Sequence, residues 1–226
     1  MIVAIDGPAA SGKSTTAEGV ARKLGFIYLD TGAMYRAVTL AVLEAGIDPG
    51  DEQAIGNLLP ALRLTFRTKN SRTRIFLGTG DVSEKIRGPD VTAHVSTVSA
   101  HPSVRKNLVA IQRKFAGKHD SVVEGRDVGT VVFPDADLKF YLVADYPTRA
   151  RRRQKDLKRL GIRQPVEEII DDLRRRDQKD SGRRHSPLLK AEDAVEVDTT
   201  ALTIEEQIQF IVNRVKLRLA KRGDKT

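Results

Sequence analysis

The chain has 226 residues, a formal net charge of +9 at neutral pH and no cysteine, which excludes disulfides, thiolate metal sites and cysteine nucleophiles and suits the reducing cytoplasm. Hydrophobic residues at 40% and charged residues at 31% fit a globular chain that forms one large α/β domain, and no run approaches the ~18 apolar residues of a membrane-spanning helix. The positive balance calls for anionic partners, while an aromatic content of 5% argues against the stacking platforms of a nucleic-acid binder and leaves nucleotides as the better reading.

The chain opens with Met1-Ile2-Val3-Ala4-Ile5 and reaches Asp6 at once, without the basic leader and long apolar run of a signal peptide. Ile2 to Ile5 reads as a strand, followed by a Gly/Pro/Ala/Ser loop and a helix from Ser14 to Leu24. A second strand, Phe26 to Leu29, leads through Asp30-Thr31-Gly32 into an amphipathic helix from Ala33 to Glu44. Leu64 to Leu77 changes character, with two strand-like runs flanking the polar turn Lys69-Asn70-Ser71. Helices are expected over about Val91 to Ala100 and Ser103 to Phe115, broken at Pro102. Val122-Val123 and Leu138 to Val143 are continuous apolar strands of the kind found in a parallel sheet covered on both faces. From Pro147 to Asp180 the pattern is long, charged and helical, interrupted at Gly161 to Pro165. Ala194 to Val197 is a last strand, and Ile204, Ile208, Ile211, Val212, Val215 and Leu219 form one apolar stripe on a closing helix. The basic tail from Lys221 to Thr226 is expected to fray.

One segment carries chemistry by itself. Gly7-Pro8-Ala9-Ala10-Ser11-Gly12-Lys13-Ser14 fits G-x-x-x-x-G-K-[ST], with Thr15 following. The glycines let backbone N–H groups turn inward around a phosphate, Lys13 neutralises charge, and the Ser14 hydroxyl suits Mg²⁺. A helix begins at that point, so its unpaired N–H groups and dipole also face the anion. The loop by itself implies only a nucleoside triphosphate site.

The acceptor is read elsewhere. Asp30-Thr31-Gly32-Ala33-Met34-Tyr35-Arg36 and the segment Glu124-Gly125-Arg126-Asp127-Val128-Gly129-Thr130-Val131-Val132-Phe133-Pro134-Asp135-Ala136, with the loop and Arg176 to Arg183, resemble the bacterial cytidylate kinases over nearly the whole chain. The resemblance implies a phosphate-loop NTPase fold of three layers with a five-stranded parallel sheet, a small β-containing insertion on the monophosphate side (62–92) and a basic helical lid (149–165). It implies transfer of phosphate from ATP, with Mg²⁺, to CMP and dCMP by a monomer.

By the same resemblance, Arg36, Arg126 and Arg183 hold the acceptor phosphate, which agrees with the forked pairing of guanidinium groups to phosphate oxygens. Taken singly, each arginine reads better as a surface ion pair; membership in the motif reverses that for Arg36 and Arg126, and Arg183 has Arg184 beside it as an alternative. Ser96, Arg105 and Asp127 read the base. Cytosine presents an amino donor where uracil presents an acceptor, so a carboxylate discriminates between them. The alternatives are a helix cap or a pair with Arg126 for Asp127, and Ser99 in place of Ser96. Arg176 and Asp180, four residues apart on one helix face, meet the sugar or form an ordinary helical ion pair. Arg149 and Arg153 stand for the lid's contacts to ATP, and Glu124 reaches Mg²⁺ through water.

The attacking atom is an oxygen of the monophosphate, already anionic at neutral pH, so the reaction needs no general base. His94, His101, His119 and His185 therefore carry no catalytic assignment. The rival readings are a kinase of the same architecture for UMP, AMP or shikimate, and a nucleic-acid-binding ATPase.

Overall fold

The computed structural model describes residues 1–69, 72–159 and 161–223. Its core is a sheet of β1 (Ile2–Asp6), β2 (Ile27–Asp30), β6 (Ser121–Gly125), β7 (Leu138–Val143) and β8 (Val195–Asp198), in the order β2-β6-β1-β7-β8 and parallel throughout. Parallel strands need crossovers, and the chain supplies helices that cover both faces. Alternation along β1 sends Val3 and Ile5 to one face and Ala4 to the other. The first face packs on α1 (Lys13–Leu24) and α8 (Ile204–Gly223) through Ala17, Val20, Ile208, Ile211 and Val215. The second packs on α2 (Thr31–Glu44), α3 (Glu52–Leu58), α4 (Pro89–Val98) and α5 (Pro102–Ala116) through Met34, Val38, Ile55, Val98 and Leu108.

The helix termini follow from local chemistry. Asp30 caps α2 by accepting from the Ala33 N–H at 2.8 Å, and Asp51 caps α3 by accepting from Ala54 at 2.9 Å. The short α3 buries only Ile55 and leaves no periodic trace in the sequence. In α8 the expected stripe holds from Ile208 to Val215, but Ile204 is 54% exposed and Leu219 36%. A helix of 20 residues is about 30 Å long. Strands of 4 to 6 residues cover about 13–20 Å, so α8 overruns the sheet at its ends.

A second, antiparallel sheet holds β3 (Leu64–Lys69), β4 (Arg72–Leu77) and β5 (Gly80–Asp81), with Leu64 opposite Leu77 and Lys69 opposite Arg72. Of the expected turn, Asn70 and Ser71 lie outside the described residues. Ile75, Val82 and Ile86 bury against Ala33, Ala37 and Leu40 of α2. The Thr73 hydroxyl donates to the backbone oxygen of Tyr28 at 2.9 Å, fastening this sheet to β2. The charged region forms α6 (Tyr146–Arg159) and α7 (Val166–Ser181), which pack through Ala150, Leu157, Ile169 and Leu173 and enclose Ala9. Gly161, with φ of +77°, lies between them.

Candidate active site

The phosphate loop leaves β1 at Asp6 and enters α1 at Lys13. Gly7 has φ of +147°, and a Cβ there would lie 2.1 Å from the Leu142 backbone oxygen, so the position tolerates no side chain. Gly12, at φ +95°, sits at the N-terminus of α1. Lys13 donates to the Pro8 backbone oxygen at 2.8 Å, which folds the amine back over the loop. Burial, and after it the charge of Arg126, push its pKa down to about 7. Ser14 and Thr15 are exposed at the loop's mouth.

The loop is braced by residues distant in sequence. Arg149 donates through Nε to the Ala9 backbone oxygen at 2.7 Å and forks onto Asp177 at 2.7 and 2.9 Å. Its guanidinium is thus engaged beneath the loop. The Thr199 hydroxyl donates to the Ser11 backbone oxygen at 2.9 Å and lies 3.0 Å from Nη1 of Arg152. Gln207 of α8 accepts from the buried Thr16 hydroxyl at 2.7 Å. Asp177, Thr199 and Gln207 were not legible in the sequence, since none lies in a motif.

Glu124 is the penultimate residue of β6, beside this loop. It is buried, which pushes its pKa up; Tyr28 donates to it at 2.7 Å and the Ser14 hydroxyl is also bonded to it. One strand position away, Asp6 accepts from the backbone N–H groups of Val128 at 2.8 Å and Gly129 at 2.7 Å.

Past Gly125 the chain turns through Arg126 and Asp127 into a π-helical turn, Val128–Val132. Gly125 is required there, because a Cβ would meet the Thr31 hydroxyl at 2.6 Å. Asp127 is buried and pairs with the equally buried Arg105 of α5. Burial raises the Asp127 pKa against the opposing pull of Arg105. Arg105 also donates to the Ser99 backbone oxygen at 3.3 Å and lies over the Tyr35 ring, 5.4 Å from its centroid.

A second carboxylate organises the arginines. Asp180, near the end of α7 and 1% exposed, accepts from Arg183 at 2.6 Å and Arg126 at 3.1 Å, with Arg176 at 4.0 Å. Burial opposes its ionisation, but the charges of Arg126, Arg183 and Arg176 outweigh it and hold the carboxyl below its usual range. Ser96 reaches the same carboxylate at 3.5 Å, and Arg183 donates to the Ser99 hydroxyl at 3.0 Å. Arg184 is exposed, so Arg183 is the arginine of the pair that turns inward. Arg176 keeps a buried Nε without a hydrogen-bond partner; burial, then the like charges of Arg126 and Arg36, push its pKa down to about 9.

Arg36 approaches from α2, donating to Thr92 at 3.0 Å, and burial pushes its pKa down to about 10. Arg153 of α6, half-buried, adds its charge to those of Arg36 and Arg176. Lys13, Arg36, Arg126, Arg153, Arg176 and Arg183 therefore come from four helices, the turn after α7 and one strand end to a single cationic region beside the phosphate loop. Such a region holds two polyanions close together against their mutual repulsion.

Comparison with known proteins agrees with this geometry. The family model described as cytidylate kinase matches residues 3–217. A cytidylate kinase of Lactobacillus johnsonii is 48% identical over 96% of this chain and 94% of its own. One of Mycolicibacterium paratuberculosis is 51% identical over 96% of each. Among solved structures, an uncharacterized protein from Eubacterium ventriosum shares the fold with a TM-score of 0.51 at 12% identity, covering 96% of this chain and 98% of its own. With a family match along nearly its whole length and relatives close to half identical, the chain belongs to the cytidylate kinase family of phosphate-loop kinases.

Proposed function

We propose that this kinase moves the terminal phosphoryl group of ATP onto the phosphate of CMP or dCMP, with the acceptor held between α4, α5, α7 and the Arg126-Asp127 turn. The observation that carries the reading is the buried Arg105–Asp127 pair set beside the Asp180 cluster of arginines. A carboxylate next to a guanidinium offers an acceptor for the cytosine amine and donors for its ring nitrogen and carbonyl. Uracil at the same place would set its O4 against the carboxylate, a mismatch of roughly 1–3 kcal/mol. Ser96 lies at the edge of this pocket, with Asp180 and Arg176 toward the sugar.

Arg36, Arg126 and Arg183 grip the acceptor phosphate. Lys13 and the N–H groups of residues 7–15 hold the donor phosphates, while Arg153 approaches the transferring group. Because the monophosphate oxygen is already anionic, these residues position the two substrates in line and cancel charge, without abstracting a proton. The donor set fits Mg²⁺, since Ser14 presents an exposed hydroxyl as a hard oxygen ligand and Glu124 a carboxylate next to it that would reach the ion through water. When bound there, Mg²⁺ would neutralise phosphate charge. The α6–α7 arm, including 149–165, acts as a lid hinged near Gly161, and the insertion of 62–92 supports the acceptor side. Every role falls within one chain, so a monomer suffices.

The test is ADP formation from ATP with CMP, dCMP, UMP, AMP and GMP, comparing the wild type with Asp127→Ala. CMP and dCMP should be preferred, and the variant should lose turnover or base preference by about tenfold or more. Equal turnover of UMP by the wild type would remove the role given to Asp127.

A further inference from the structure

Asp6 has no part in the reaction outlined above, yet its carboxylate is 5% exposed and ends β1 directly before the phosphate loop. Its two oxygens are both spent on the next turn but one in the site: Oδ1 accepts from Val128 and Oδ2 from Gly129. These are the leading N–H groups of the π-helical turn, which have no partner within it. The turn's own bonds run from Val131 and Val132 back to the Asp127 oxygen at 2.9 and 3.1 Å, and from Phe133 to that of Val128 at 2.7 Å. Such a turn is rare and weakly self-sustaining. Asp127 immediately precedes the turn, with φ of −143°, so whatever fixes the leading N–H groups fixes the direction in which Asp127 meets Arg105.

We infer that Asp6 is a positioning residue for base recognition, clamping the Val128 and Gly129 amides so that Asp127 is aimed at the acceptor base, and that it ties the donor loop to the acceptor reader. Burial of an ionisable carboxyl between strands is unfavourable unless its oxygens are satisfied, and these two charge-assisted bonds satisfy them. Burial is also the chief reason that its pKa is pushed up to about 6. The inference rests on the reading of Asp127 as the base-contacting residue.

Asp6→Asn tests it with little change of shape. The amide keeps one acceptor and turns the other into a donor, which faces one of the two N–H groups. The KM for CMP should rise about tenfold and the preference for CMP over UMP should fall by a similar factor, with the KM for ATP within about twofold. Gly129→Ala approaches the same clamp from the other side, since its Cβ would meet Lys139 at 3.1 Å and the Asp6 Oδ2 at 3.4 Å. It should shift the same two quantities in the same direction, by less. Unchanged base preference in Asp6→Asn, or in Gly129→Ala should Asp6→Asn fail to fold, would overturn the inference, as would equal rises in both KM values. A wild type without preference for CMP, measured alongside, would overturn the reading of Asp127 and this inference with it.

Discussion

Asp180→Asn perturbs the most connected carboxylate of the site while keeping its shape. Asp180 is buried, as is most of the Arg183 side chain at 8% exposure, whereas Arg126 and Arg176 retain 21% and 24%. Breaking a buried ion pair from one side costs about 3–5 kcal/mol, because the remaining charges stay unpaired. The partial exposure of Arg126 and Arg176 lets water recover some of that, which places the expectation near the lower end, about 3 kcal/mol. For a chain of this size each kcal/mol lowers Tm by about 2–4 °C, so the variant should melt about 6–12 °C below the wild type at pH 7. The pH dependence gives a second check by calorimetry. The folded pKa of Asp180 is depressed, so its contribution is fully present above the ordinary carboxylate value of about 3.9 and is lost as pH falls through the lower folded value. The wild type and variant should therefore converge in strongly acid solution and differ by a constant amount at neutral pH. A variant melting within about 2 °C of the wild type at pH 7 would refute the view that this carboxylate holds the arginines together.

Arg149→Lys keeps the charge but loses the fork onto Asp177 and the bond to Ala9, so the KM for ATP should rise by about tenfold while that for CMP stays within about twofold. Equal KM values for ATP in variant and wild type would show that the loop holds its shape without this brace. Lys13, with a pKa near 7 when free, is mostly neutral at pH 8, and a phosphate beside it favours the charged form. Binding of a non-hydrolysable ATP analogue at pH 8 should then take up as much as about one proton, read as a dependence of calorimetric heat on the ionisation enthalpy of the buffer. No such dependence would mean that the amine is already charged in the free enzyme.

What the sequence makes legible is what is local or carried by a motif. The phosphate loop, the strands of continuous apolar residues and the segment from Glu124 to Asp127 each declare themselves within a dozen positions. Resemblance groups Arg36, Ser96, Arg105 and Asp180, and in the fold Ser96 reaches Asp180 while Arg105 pairs with Asp127. The braces of the loop escaped notice because Asp177, Thr199 and Gln207 are joined to it only through tertiary packing, as the pairing of Thr16 with Gln207 across the whole chain illustrates. The π-helical turn has no recognisable periodicity either: its five residues, Val128 to Val132, are held by a carboxylate from β1 rather than by their own propensity. For Arg149, charge density suggested a contact to ATP but gave no sign of its carboxylate partner. A carboxylate one helix away, Asp177, turns the same group inward.

Thr73 and Tyr28 give the small sheet a bearing on chemistry that its position at the rim conceals. The backbone oxygen of Tyr28 receives the Thr73 hydroxyl, and the phenol of the same residue grips Glu124. A hairpin grafted here from a homologue, matched in length but lacking a hydroxyl at this register, would loosen β2 and with it the side chain beside Ser14. The insertion is thus not an exchangeable module: a replacement would have to carry along the anchor that keeps the glutamate in place.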